Sequence, residues 1–108
     1  MTQTPLTPRL ADKLAALFSR EDRSFAQQWL VSEIDADLPG GISNSMVLLE
    51  RIRAAALKCS DGSLDQLARA TSLARQDWRD VLMAAGFGDT HAHDEWLNEP
   101  KTPAATSR

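Results

Sequence analysis

The sequence predicts an all-α protein, a single small domain of five or six short helices, and three observations carry that expectation. No segment alternates β-branched with polar residues, tyrosine is absent, and no Asn-Gly or Asp-Gly pair joins two alternating runs, so the marks of strands and hairpins are missing. Apolar residues recur instead at three- and four-residue intervals, the period of a helix buried on one face. A length of 108 residues with 43% apolar content is enough for one core without disulfides.

Leu10, Leu14 and Leu17, with Ala11 and Phe18, form the first stripe, and Pro8 suits the first turn of that helix. Ser19 followed by Glu21 and Asp22 reads as a second helix start, with acidic groups at the positive end of the dipole. Phe25, Ala26, Trp29, Leu30 and Ile34 then share a face. Together these segments predict an N-terminal helical hairpin over residues 9–38, ending before Pro39-Gly40-Gly41. A hairpin this short cannot bury a core alone, so it is expected to pack on the later helices or on a second copy.

Ser43 or Ser45 is positioned to cap a third helix, in which Met46, Leu49, Ile52 and Ala56 recur with helical spacing until Asp61-Gly62. Ser63-Leu64-Asp65-Gln66 has the form of a capping box and starts a fourth. Asp89 or Thr90 would cap a short closing helix within residues 89–98, with Ala92, Trp96 and Leu97 facing inward. The domain is therefore expected to span residues 1–98. The tail 99–108, with two prolines among small polar residues, is predicted to be disordered.

Charge and cysteine usage narrow the function classes. A net charge of −3 argues against a chain that coats nucleic acid non-specifically, because such binding rests on neutralising phosphates. The acidic excess lies at the two ends, while residues 43–86 carry six basic and five acidic side chains. The single Cys59 cannot form an internal bridge and reads as a small core residue. No signal-peptide core or membrane-length apolar run is present, and a cytoplasmic protein is expected.

Within residues 63–86, SLDQLARATSLARQDWRDVLMAAG, Leu64, Leu67 and Ala68 make one apolar face and Trp78, Val81 and Leu82 a second. Leu73 lies between them, placed to plug the corner, and Ala68 would allow close approach where the two helices cross. This segment resembles the helix-turn-helix superfamily, with the turn at Ser72 and Leu73. The resemblance implies a small DNA-binding regulator whose second helix enters the major groove, with Arg75, Gln76 and Arg79 reading base edges. Arg69, with Arg51, Arg53 or Lys58, would hold phosphates, and the N-terminal hairpin would pair two copies as a homodimer on a symmetric site. Asp77 and Asp80 offset Arg75 and Arg79, and salt bridges among these residues are the competing reading.

The same scaffold could instead serve as a protein-interaction module, with Met83, Phe87 and Trp96 as its contact patch. No catalysis is expected. The chain has no glycine-rich phosphate loop and no nucleophile motif. His91 and Glu95, one turn apart, are the nearest approach to metal-ligand spacing, and His93 would point elsewhere, which is too few donors for a structural zinc site. No metal and no cofactor are expected.

Overall fold

Five helices, and no strand, occur among the residues that the computed structural model describes, which are 4–35, 46–89 and 91–98. They are α1 (Pro8–Leu17), α2 (Arg20–Glu33), α3 (Met46–Ser60), α4 (Leu64–Ala85) and α5 (Ala92–Asn98). The all-α expectation holds. The break at Pro39-Gly40-Gly41, the caps at Ser43, Ser45 and Thr90, and the 99–108 tail lie outside the described residues.

Each helix boundary has a local cause. Pro8 opens α1, where its missing N–H costs nothing. Phe18 and Ser19 are extended and are the only two residues between α1 and α2, and Glu21 and Asp22 occupy the first turn of α2. α2 stops at Glu33, short of the predicted end, and Ile34 leaves the helix while remaining fully buried. Ser63 caps α4 by accepting a hydrogen bond from the Gln66 N–H at 3.3 Å. Gly86, with φ +78°, terminates α4 in the left-handed cap conformation.

α3 is the central element. Every residue from 52 to 57 is buried, so this helix is covered on all sides rather than along one stripe. α4 packs along it, and α1, α2 and α5 touch it as well. Gly62, in the turn between α3 and α4, also meets α1: a Cβ there would lie 2.6 Å from the Leu17 carbonyl oxygen.

α4 differs from the sequence expectation in where it bends. Ser72 and Leu73 are helical, and the break falls at Asp77, whose backbone is extended at φ −157°, ψ 100°. Two local preferences explain the shift. No glycine stands at the expected turn, and the Thr71 hydroxyl is satisfied inside the helix by donating to the Ala68 carbonyl. Asp77 can instead accept the Arg79 N–H two residues on, at 3.1 Å, which starts a new helical limb. The chain folds back there. Gln66 and Ala84 line one shallow depression with Ala70, Leu73 and Val81, although on a straight helix they would stand about 27 Å apart.

Candidate functional site

The basic residues singled out in the sequence separate into two groups by what they touch. Arg53 is 2% exposed and lies inside the fold. Its guanidinium donates to the carbonyls of Ile34 at 2.7 Å, Pro5 at 3.2 Å and Val31 at 3.5 Å, with Asp35 3.6 Å away. Burial pushes its pKa below the ordinary arginine value, and the Asp35 charge opposes that shift. Arg75 donates to the Glu33 carbonyl at 3.1 Å, and Lys58 to the Ala85 carbonyl at 3.0 Å.

These three contacts have one physical origin. The last carbonyls of a helix lack intrahelical partners and sit at its negative end. Neither α2 nor α4 has a basic residue in its last turn, so cations arrive from other helices: Arg53 and Arg75 close the end of α2, and Lys58 closes the end of α4. Arg53 is thereby corrected from a phosphate contact to a buried structural residue. Arg51 donates to the Gly88 carbonyl at 3.4 Å, beyond the same end of α4.

The second group remains on the surface. Arg69 and Gln76 are exposed and line a depression with Ala68, Ser72 and Leu73 on the first limb of α4. Arg79 pairs with Asp77 at 3.2 Å, keeps 70% of its side chain exposed, and lies over the Trp78 ring. Trp78 itself packs against the core but is only partly buried, and its indole N–H has no partner among the described residues. The patch proposed from sequence around Met83, Phe87 and Trp96 does not form one surface. Met83 is 71% exposed, whereas Phe87 is 2% exposed and belongs to the core, with Lys58 over its ring. Trp96 is half-buried, packs at a tilt against Phe87 and carries Lys13 over its own ring.

An exposed aromatic surface lies on α2. Phe25 is 57% exposed and packs against Trp29 with ring centroids 5.3 Å apart. Gln28, Ser32 and Glu33 complete a depression around them. α2 buries Ala26 and Leu30 on its opposite side, so the phenylalanine was legible as apolar but not as outward-facing.

Sequence reading missed a polar junction between α1, α3 and α5. Glu50 and His93 are both buried, and His93 Nε2 lies 3.2 Å from Glu50 Oε1. Arg9 grips Glu50 through Nε at 3.0 Å and Nη2 at 2.6 Å, and the same Nη2 reaches Asp94 Oδ1 at 2.5 Å. The Thr7 hydroxyl donates to Glu50 as well, and His91 Nδ1 contacts Asp94 Oδ2 at 3.1 Å. Burial acts to raise the Glu50 carboxyl, but the hydrogen bonds from Arg9, Thr7 and His93 outweigh it and leave the group below the usual carboxylate range. The Arg9 hydrogen bond holds Asp94 low in the same way. His93 faces into the molecule because α5 lies against α3, a placement that no local pattern encodes. Cys59 is half-buried, and burial raises its thiol pKa against the opposing charge of Lys58.

No family model, curated protein or solved structure matches this chain.

Proposed function

We propose that this chain is a non-catalytic helical module that binds another protein through the outer face of α2. The observation that carries this reading is the exposed Phe25, packed at a tilt against Trp29 in a depression rimmed by polar side chains. Aromatic anchors with a polar rim are the usual energetic centre of a protein interface. The cations that first suggested DNA support this choice, since Arg53, Arg75 and Lys58 are engaged by helix ends. The test is capture from native lysate with wild-type chain, with nuclease, and with Phe25→Ser. A partner retained after nuclease and lost with a folded Phe25→Ser chain supports the reading. Retention by the variant refutes it.

A DNA-binding regulator of the helix-turn-helix type is the second reading, favoured by one observation: Arg69, Gln76 and Arg79 remain exposed along α4 near its corner. Arg69 has no ion pair among the described residues. Anisotropy with labelled duplexes separates the two readings. DNA binding requires affinity to fall linearly with salt on logarithmic axes, and Arg69→Ala to reduce that slope by about one.

A further inference from the structure

We propose that Glu50, His93 and Asp94 form a binding site for a divalent transition-metal ion of the zinc(II) class, which enters by displacing the Arg9 guanidinium. This inference is independent of the protein-binding reading. One donor atom from each residue lies within 4.8 Å of the other two. His93 Nε2 stands 3.2 Å from Glu50 Oε1 and 3.7 Å from Asp94 Oδ1. Ligands about 2.1 Å from a tetrahedral ion are about 3.4 Å apart, so both separations suit one ion. An imidazole nitrogen with two carboxylates favours zinc, cobalt or nickel over the all-oxygen sites of calcium and magnesium.

The two carboxylates already converge on a single cationic atom, because Arg9 Nη2 bridges Glu50 Oε1 and Asp94 Oδ1. A cation position is therefore built into the junction. Arg9 supplies one positive charge against two negative ones, and a divalent ion would balance them. The arginine side chain is 35% exposed, which leaves it a path outward. The depression beside it is lined by Asp89, His91, Asp94 and Glu95, an acidic approach for an incoming cation.

The junction also limits how tightly the ion is held. Coordination through Nε2 places the ring proton on Nδ1, which is buried and has no hydrogen-bond partner among the described residues. Metal-bound histidines ordinarily donate that proton to a second group, and lacking the partner costs roughly 10–100-fold in affinity. Competition from Arg9 weakens the wild-type site further. Removing the arginine is thus expected to strengthen binding, the reverse of its effect on the resting fold.

The test uses the full chain without a histidine tag, cobalt(II) as a spectroscopic probe and zinc(II) in competition, with stoichiometry from equilibrium dialysis. Wild type should take up one ion per chain, Arg9→Gln should bind it roughly 10-fold more tightly or better, and His93→Gln should lose a similar factor. Zinc(II) should raise the melting temperature of Arg9→Gln more than that of wild type, a readout that stands even if His93→Gln unfolds. Absence of binding by both wild type and Arg9→Gln overturns the proposal, as does an Arg9→Gln affinity no higher than wild type. Loss caused by His91→Gln but not by a folded His93→Gln also overturns it, because it places the ion on the exposed rim.

Discussion

α3 meets its neighbours in two different materials. Apart from Lys58 at the end of α4, the contact towards α4 is apolar and fine-grained, with Ala54, Ala55, Ala56 and Leu57 in the same core as Ala70, Ala74, Val81, Leu82 and Ala85. Small side chains there let two helices approach closely. Towards α1, α2 and α5 the same helix contributes charges, Glu50 to the Arg9, His93 and Asp94 junction and Arg53 to the end of α2. The first contact depends on filled volume. The second depends on every polar group keeping its partner, because a buried charge left alone costs far more than a paired one contributes.

The sharpest way to break this contrast is Arg53→Ala, which removes the donor to the Ile34 carbonyl and the positive charge beside Asp35 and is expected to cost about 3–5 kcal/mol in urea unfolding. A loss under about 1 kcal/mol would show that water replaces the guanidinium. On the apolar side, Leu57→Ala should cost about 2–5 kcal/mol, with the same loss at pH 7 and pH 4 because no titrating group is removed. A loss that changes with pH would mean that the two contacts are coupled.

Acid should find the polar side first. The Glu50 and Asp94 carboxyls are held below their ordinary range in the fold, so their contribution is present above that range and disappears as pH falls through it. Melting temperature should decline below about pH 4–5, and Glu50→Gln should flatten that decline while starting lower at pH 7. An unchanged profile in the variant would assign acid sensitivity to other carboxylates. Two smaller effects complete the series. Ser63→Ala should cost about 1 kcal/mol through the lost cap of α4. Phe25→Ala should change stability by no more than about 0.5 kcal/mol, since its ring is largely in solvent. A larger loss would show that the ring belongs to the core.

The same division governs what the sequence reveals. Helical periodicity exposed Leu10, Leu14, Leu30, Ile52, Leu67 and Val81 as core positions, and Pro8 and Ser63 marked helix starts, because each signal acts within a few residues of itself. Arg53 and Arg75 were misleading for the opposite reason. An arginine in a polar segment looks available for a phosphate, as Arg53 did, or for a base edge, as Arg75 did, until tertiary packing brings a carbonyl 19 or 42 residues away to its guanidinium. The pairing of Glu50 with His93, 43 residues apart, has no local trace at all. The bend in α4 was visible as a change of apolar face, but its position was decided by which side chain could satisfy the backbone. Asp77 does so more readily than Ser72.

That bend also fixes how the chain can change in length. One extended residue makes the whole reversal, so there is no slack between the limbs. A single residue inserted after Asp77 would turn the second limb by about 100°. Asp80 would be carried into the buried place of Val81 and Val81 into that of Leu82, while Leu82 would be turned out to the exposed place of Met83. An insertion at this point therefore drives a carboxylate into the interior and a leucine out of it, even though the added residue itself lies at the bend.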